Sequence, residues 1–284
     1  MAGTIHAEIP DRRRSILVLW HLLSLDAPTV AALWTWFIAR ANHVAVPRFA
    51  FAGMAAAVWM LYAADRVLDA QSSDNDSLEA RHYFHREHRA GFLVGIALCS
   101  ILLAILLPRI PEAAIHLYLI LGGLVFGYFV IIHATRSAHR LPKEIAVGIC
   151  FAAATFIPTV ANAPSLRMTL LPPALLLAAL CSLNCLFIYA WEHPQQAMQL
   201  PHPITAFALR YLSVLSIGIV AASSILLVID RRAPWPLYAT IAFSTIVLLM
   251  LHLRRQYIPA LELRAAADLA LLTPLLLLPV VLIR

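Results

Sequence analysis

Apolar runs about as long as a membrane-spanning helix, separated by short polar links, make up most of the chain. A helix needs about 20 predominantly apolar residues to cross a bilayer. Nine stretches meet this requirement, and they predict an all-α polytopic membrane protein that forms a single transmembrane domain over residues 1–284. The predicted spans cover approximately residues 15–40, 46–69, 91–107, 112–134, 142–162, 168–191, 204–228, 235–253 and 259–282.

Three polar stretches stand outside this pattern. Residues 70–90 are rich in Ser, Asp, Arg and His, which predicts a polar loop with a short surface helix. Residues 192–203 contain three prolines, and proline keeps the backbone irregular. Residues 1–14 predict a surface tail and not the start of a signal peptide, because the apolar run that follows is longer than the roughly 7–15 residues of a signal-peptide core.

Composition agrees with the pattern and excludes a soluble enzyme. Hydrophobic residues make up 62% of the chain and charged residues 13%, with a mean hydropathy of +0.81. The net charge is +6, but the basic residues are scattered among the connections, which argues against nucleic acid as a partner. Near the helix ends, twelve basic residues lie on the side of the N-terminus and seven on the other side. We therefore expect a bacterial inner-membrane protein with a cytoplasmic N-terminus, surrounded by membrane lipids.

Two carboxylates close the second predicted span. Asp65 and Asp69 are four residues apart, so on a helix they project from one face. Like charges at this spacing repel, and the C-terminal end of a helix disfavours further anions. A cation is therefore expected beside them, and Mg²⁺ commonly binds one or two carboxylates together with water and substrate phosphate. The alternative is a solvated helix end whose aspartates pair with Arg66 and the arginines that follow.

Ionisable residues at membrane depth are costly and are functional candidates by default. Asp26 lies near the middle of the first span, where it faces a cavity or accepts hydrogen bonds from backbone donors freed near Pro28. In the last span, Arg264 and Asp268 are four residues apart, which predicts an ion pair within one helix. Glu144 follows Pro142 at a helix start, which predicts an acid that complements the helix dipole.

The polar residues of the sixth span lie near its C-terminal end. Asn184 and Glu192 are a little over two turns apart, so both lie near one face of a helix, while Tyr189 is typical of a membrane interface. Glu192 is either a metal-site or phosphate-site group or an interfacial acid. One further cluster of potential metal ligands lies earlier in the chain, at the histidines of residues 82–88. A solvated surface is favoured there over a metal site.

The positions of these residues resemble the UbiA superfamily of intramembrane prenyltransferases over nearly the whole chain. Members of that superfamily have nine transmembrane helices around a central lipid-accessible cavity. Two aspartate-rich motifs at its cytoplasmic mouth bind an isoprenyl diphosphate through Mg²⁺. Asp65 and Asp69 match the aspartates of the first motif, Asn-x-x-x-Asp-x-x-x-Asp, at the end of the second helix, while Leu61 stands at the Asn position.

Two further regions carry the resemblance and its departures. Residues 133–142, with Gly148 beyond, are similar to the basic stretch before the family's fifth helix, with Arg136 at its lysine position and Ser137 in place of its arginine. The second aspartate motif is degenerate, because Glu192 is its remaining carboxylate and Asn184 would substitute as a neutral oxygen donor. The resemblance thus implies Asp65, Asp69 and Glu192 as catalytic residues and Mg²⁺ ligands. It further implies diphosphate binding by Arg66, Arg81, Arg136, Arg140 and Lys143, and an acceptor or cavity role for Asp26, Asn184 and Tyr189.

The resemblance implies a Mg²⁺-dependent enzyme that ionises an isoprenyl diphosphate and transfers the prenyl group to a lipophilic or aromatic acceptor. No residue identifies that acceptor. Some members of the superfamily instead cyclise the isoprenoid itself as membrane terpene cyclases, and aromatic side chains such as Trp59 and Phe151 favour such a reaction by stabilising a cation. The degenerate second motif is also consistent with a non-catalytic lipid-binding or assembly protein on the same fold.

Overall fold

The computed structural model describes residues 16–72, 80–134, 142–192 and 202–283. All regular elements in these ranges are helical, as the long apolar runs predict. The α-helices are α1 Ile16–Leu22, α2 Asp26–Ala41, α3 Arg48–Ser72, α4 Ala80–Glu87, α5 Arg89–Leu106, α6 Glu112–Ala134, α7 Lys143–Asn162, α8 Leu171–Glu192, α9 Pro203–Arg210, α10 Leu212–Ile229, α11 Trp235–Leu253, α12 Ala260–Ala270 and α13 Leu278–Ile283.

Six of the described helices are long and apolar enough to cross a membrane, namely α3, α5, α7, α8, α10 and α11. A seventh span is possible if α12 and α13, which meet at an angle of 41°, are counted as one broken span. The membrane class and the all-helical fold are therefore confirmed, whereas the predicted count of nine spans stays a prediction. The first, seventh and ninth predicted spans are each divided between two or more helices.

The break in the first predicted span lies at Leu23–Leu25. Ser24 adopts a left-handed backbone with φ of 57°, which is uncommon for a residue other than glycine. Its hydroxyl lies 3.4 Å from Nε2 of His85 on α4. The break makes Asp26 the first residue of α2, where its Oδ1 accepts a hydrogen bond of 2.9 Å from the backbone N–H of Ala27. An acid at a helix N-terminus is also stabilised by the helix dipole. Of the two predicted surroundings of Asp26, a cavity or backbone donors, the structure shows one backbone donor, and it belongs to the first turn of α2.

The polar connection after α3 contains a short helix, α4, as predicted, and residues 73–79 lie outside the described part. The expectation of a solvated histidine surface is wrong for His85, which is 1% exposed and packs against the ring of Phe92. His88 is exposed, as expected. His85 is buried because α4 folds back over α1 and α3 and does not project into water.

The main hydrophobic core lies between α2, α7, α8 and α11. Its largest fully buried side chains include Trp34, Phe37 and Phe187. The indole N–H of Trp34 donates to the backbone oxygen of Leu271, 2.9 Å away, and so ties α2 to the end of α12. Helices α5, α6 and α10 instead expose many large apolar side chains, which suits contact with lipid.

Gly148 brings α7 against α8. A Cβ atom built at this position would lie 2.3 Å from the backbone nitrogen of Ser182, which is closer than real Cβ atoms approach. The clash is with backbone, so a side-chain rotation cannot relieve it. Small residues at helix interfaces permit such close approach in membrane proteins.

We expect Gly148→Ala to destabilise the folded protein by about 1–3 kcal/mol, because α7 and α8 must separate to admit the methyl group. Thermal melting in detergent measures this loss. The matched control is Gly122→Ala in α6, where no atom lies within 4 Å of the added Cβ. A melting temperature of Gly148→Ala equal to that of the control would show that the close contact does not limit packing.

Candidate functional site

Helix α3 presents two different faces at the end of the bundle where α3 and α8 end and α7 begins, which we call the motif end. Tyr62 and Arg66, four residues apart, are partly buried and face the interior of the helix bundle. Leu61 and Leu68 are 64% and 62% exposed, and Asp65 between them is exposed as well. Arg66 and Asp65 are adjacent in sequence, but Arg66 therefore faces the bundle interior and Asp65 faces outward.

Arg66 reaches into a buried group of charged side chains. Its Nη2 lies 3.3 Å from Oδ2 of Asp26, and its Nη1 donates to the backbone oxygen of His21 at 2.8 Å. Nδ1 of His21 lies 2.5 Å from the same Asp26 oxygen. His21 is fully buried and Asp26 is 1% exposed. Charges this deep persist when they are paired and hydrogen-bonded, which this arrangement provides.

Asp268 of α12 completes the group. Its Oδ2 lies 3.9 Å from Nδ1 of His21, and its Oδ1 accepts a hydrogen bond of 3.2 Å from Nδ2 of Asn184 on α8. We call His21, Asp26, Arg66 and Asp268 the buried ion network. It joins the first three helices to α12, and Asn184 adds α8.

Asp268 does not have the partner that its spacing predicts. Arg264, one turn earlier on α12, forms its ion pair with Glu192 at the end of α8. The predicted ion pair between Arg264 and Asp268 is therefore wrong. Arg264 and Asp268 thus make separate contacts with α8, which offers a carboxylate to Arg264 and an amide donor to Asp268.

Ligand atoms of His21, Asp26 and Asp268 lie within 4.8 Å of one another, a spacing that a metal ion could bridge. The guanidinium of Arg66 already lies against the Asp26 carboxylate, however, and supplies positive charge there. We interpret the group as an ion network and not as a metal site. A cation beside Arg66 would meet electrostatic repulsion in a region of low dielectric.

A small cavity of about 30 Å³ adjoins the ion network. Helices α2, α3, α7, α8 and α12 line it, with Tyr62, Gly148, Asn184, Cys185 and Asp268 among its walls. Oδ1 of Asn184 is buried and has no hydrogen-bond partner. The end of α3, the start of α7 and the later turns of α8 thus surround one small cavity that has polar side chains in a mainly apolar wall.

A second cavity, of about 250 Å³, is almost wholly apolar and is lined by α3, α5, α6 and α7. The α3 residues in its wall include Met54 and Ala57. At spacings of three and four residues, these two share a face with Leu61, Asp65 and Leu68, and we call this set the α3 stripe. Asp65 lies eleven residues after Met54, or about 16 Å along the helix. One face of α3 therefore runs from an apolar cavity to a carboxylate.

The other predicted site residues are distributed as follows. Lys143 begins α7 at the motif end, and Glu144 beside it accepts a hydrogen bond of 3.3 Å from the hydroxyl of Thr205. Glu144 lies in the first turn of α7, where an acid complements the helix dipole, as predicted. Tyr189 is partly exposed near the end of α8.

Helix α3 continues through Asp69, so the one-turn spacing from Asp65 holds, and α4 contains Arg81. Arg136 and Arg140 lie outside the described residues.

Sequence reasoning missed His21 and assigned Asp268 to the wrong partner. His21 is a polar residue within an apolar run, five positions before Asp26. Intramembrane ionisable residues are expected to have partners, so this spacing was a usable signal. No sequence signal links Asp268 to Asn184, because 84 residues separate them.

In comparisons with protein-family models, with curated proteins and with solved structures, no match to this chain was found.

Proposed function

We propose that the protein is an intramembrane enzyme that binds an isoprenyl diphosphate at the motif end and transfers its prenyl group to a lipophilic acceptor. The α3 stripe carries this proposal. It places an exposed carboxylate, Asp65, on the same helix face as an apolar cavity of about 250 Å³. A prenyl diphosphate has this division into an anionic head and an apolar chain.

The apolar cavity suits the chain end of such a substrate. Burial of each CH₂ group contributes about 0.8 kcal/mol, so a chain of several isoprene units gains substantial affinity from an apolar wall. Phe49, Met54 and Leu103 contribute to that wall. Exclusion of water there also protects an allylic cation from hydrolysis.

The donor set at the motif end fits Mg²⁺. Asp65 is an exposed carboxylate, and helix α3 continues through Asp69 one turn later; Mg²⁺ commonly binds one or two protein carboxylates. When bound, Mg²⁺ neutralises charge on the diphosphate and favours its departure. Lys143 at the start of α7 adds positive charge at the same end of the bundle.

A second, non-enzymatic candidate is favoured by one observation. Glu192, the remaining carboxylate of the degenerate second motif, is engaged by Arg264. A carboxylate paired with an arginine is a poorer metal ligand than one that faces only water. A lipid-binding protein on the same framework would need the apolar cavity but no turnover.

Release of inorganic diphosphate separates the two candidates. Purified protein in lipid nanodiscs receives geranyl, farnesyl and geranylgeranyl diphosphate with Mg²⁺, with and without a bacterial lipid extract. We expect release that EDTA abolishes and that the extract accelerates. Binding of a prenyl diphosphate without release of inorganic diphosphate would support the non-enzymatic candidate. Diphosphate release that does not depend on the extract and yields a hydrocarbon product would support a cyclase.

A further inference from the structure

The buried ion network contains two carboxyl groups that are hydrogen-bonded to each other. The side chain of Asp268 on α12 forms this hydrogen bond with the side chain of Asp26 on α2. An ionised carboxylate only accepts hydrogen bonds, so a hydrogen bond between two carboxyl groups requires a proton on one of them. One of these two aspartates is therefore a neutral carboxylic acid.

Asp26 has the surroundings of an ionised carboxylate. Its Oδ2 lies 2.5 Å from Nδ1 of His21 and 3.3 Å from Nη2 of Arg66, and its Oδ1 accepts a hydrogen bond of 2.9 Å from the backbone N–H of Ala27. Donors from three residues thus converge on this carboxylate, and hydrogen bonds to the charged form of a group favour that form. Asp26 therefore carries the negative charge that Arg66 balances.

Asp268 has fewer donors. Its Oδ1 accepts a hydrogen bond of 3.2 Å from Nδ2 of Asn184, whereas its Oδ2 lies 3.9 Å from Nδ1 of His21, which is too far for a hydrogen bond. The guanidinium of Arg66 is directed at Asp26 and at the backbone oxygen of His21. Asp268 is therefore the aspartate whose surroundings suit a neutral acid.

The ring of His21 does not add a second positive charge. His21 is fully buried, and its Nε2 has no hydrogen-bond partner among the described residues. A charged ring carries an N–H on both nitrogens, so it would leave one of them buried and unpaired at a high cost. We therefore assign a neutral ring whose Nδ1–H points to Asp26. A second ionised carboxylate beside the single guanidinium of Arg66 would then be a buried charge without compensation.

We propose that Asp268 carries a proton at neutral pH, that it donates this proton in a hydrogen bond to Asp26, and that the shared proton locks α12 against α1 and α2. The inference goes beyond the proposed function and does not depend on it. Helix α12 packs against both of these helices. Without the proton, two carboxylates would repel each other in a region of low dielectric, so the lock opens as the pH rises.

The groups that face Asp268 leave this charge balance unchanged. They are His21 of α1, Asp26 of α2, Tyr62 and Arg66 of α3, and Asn184 and Cys185 of α8. Tyrosine and cysteine are uncharged at neutral pH. The titratable residues of α11, Tyr238 and His252, are hydrogen-bonded elsewhere. On α12 itself, Arg264 is paired with Glu192.

The small cavity gives the proton a route of exchange. Asp268 lines this cavity of about 30 Å³, which has room for one or two water molecules. Oδ1 of Asn184 lies buried in the same wall and has no hydrogen-bond partner, so a water molecule there would donate to it. Water in this position can also take up the proton of Asp268 when the pH is raised.

The proton has a measurable effect on folding. In the unfolded chain an aspartate loses its proton at a pH of about 4. Above this pH, a folded protein that retains the proton on Asp268 binds one more proton than the unfolded chain. The equilibrium constant for unfolding therefore rises by up to about tenfold per pH unit from this source alone. Asp268→Asn removes this contribution, because asparagine does not titrate.

The first test is denaturant unfolding of wild type, Asp268→Asn and Asp230→Asn in one detergent from pH 5 to pH 8. We expect the unfolding constant of wild type, divided by that of Asp268→Asn, to rise with pH by up to about tenfold per unit. Asp230→Asn is the matched acid-to-amide control. The hydrogen bond from Tyr238 lowers the pKa of Asp230, so the corresponding ratio should stay flat. A flat ratio for Asp268→Asn as well would overturn the inference.

The second test decides which aspartate holds the proton. Asparagine at position 268 can still donate to Asp26 and accept from Asn184, so Asp268→Asn should be at least as stable as wild type at pH 8. Asp26→Asn removes the carboxylate that His21 and Arg66 share, and it should be less stable than wild type or fail to fold. The opposite order, or a failure of Asp268→Asn to fold, would overturn the assignment.

Infrared spectroscopy detects the proton itself, because the C=O stretch of a neutral carboxylic acid is separate from the bands of a carboxylate. The spectrum of wild type minus that of Asp268→Asn at pH 7 should contain this band. Its absence would mean that Asp268 is ionised and would overturn the inference.

Amide hydrogen exchange tests the lock. Asp268→Leu keeps most of the side-chain volume but lacks the hydrogen bonds to Asp26 and Asn184, whereas Asp268→Asn retains both. At one pH, the amides of α12 should exchange faster in Asp268→Leu than in Asp268→Asn, and those of α10 should exchange equally in the two variants. Equal exchange of α12 in both variants would show that the shared proton does not hold this helix.

Discussion

Replacing Asp65 with asparagine is expected to slow Mg²⁺-dependent release of inorganic diphosphate by two to three orders of magnitude, that is, by roughly 10²–10³-fold. Asparagine keeps the size of the side chain and removes the charge that a divalent cation requires. Because Asp65 is exposed on the α3 stripe, the substitution leaves the buried ion network intact. The measurement is initial-rate diphosphate release across a Mg²⁺ titration.

Two observations distinguish loss of the metal site from loss of the fold. The melting temperature of Asp65→Asn should stay close to that of wild type, since Asp65 is exposed and the substitution keeps the size of its side chain. Glu112→Gln is the matched control, because Glu112 is 86% exposed beside His116 at the start of α6. Both variants lose one carboxylate at a membrane edge. Equal rates for the two variants would remove Asp65 from the proposed diphosphate site.

The helices could be predicted from sequence because bilayer thickness sets their length and apolar character. Each predicted span coincides with one helix or with an interrupted one, as for 142–162 and α7 Lys143–Asn162. The interruption at Ser24 could not be predicted in the same way. It depends on a left-handed backbone conformation that serine adopts here, and hydropathy averages over such a residue.

The partners of the buried charges were less predictable than their positions. Sequence spacing reports contacts within one helix, and it assigned Arg264 to Asp268 for that reason. The structure pairs Arg264 with Glu192, 72 positions away, which requires knowledge of how α8 and α12 pack. For Asp26 the sequence predicted a cavity or backbone donors; one backbone donor is present, but its side-chain partners His21 and Arg66 were not predicted.

The largest expected effect on stability comes from separating Arg66 from Asp26. Removal of one partner from a buried ion pair costs about 3–5 kcal/mol, because the other charge remains buried without compensation. We therefore expect Arg66→Met and Asp26→Asn each to lower the free energy of unfolding by about that amount. In Arg66→Met the backbone oxygen of His21 also loses its donor.

The double variant decides whether the charges act as a pair. Arg66→Met combined with Asp26→Asn removes both charges, and methionine retains much of the apolar volume, so the double variant should be more stable than the sum of the single losses predicts. Denaturant unfolding of all four proteins in one detergent gives the coupling free energy. Gly91→Ala provides a baseline, because its added Cβ meets no atom within 4 Å. Strictly additive losses would mean that Asp26 is balanced mainly by His21, whose Nδ1 lies 2.5 Å from it, and that Arg66 is held chiefly by the His21 backbone oxygen.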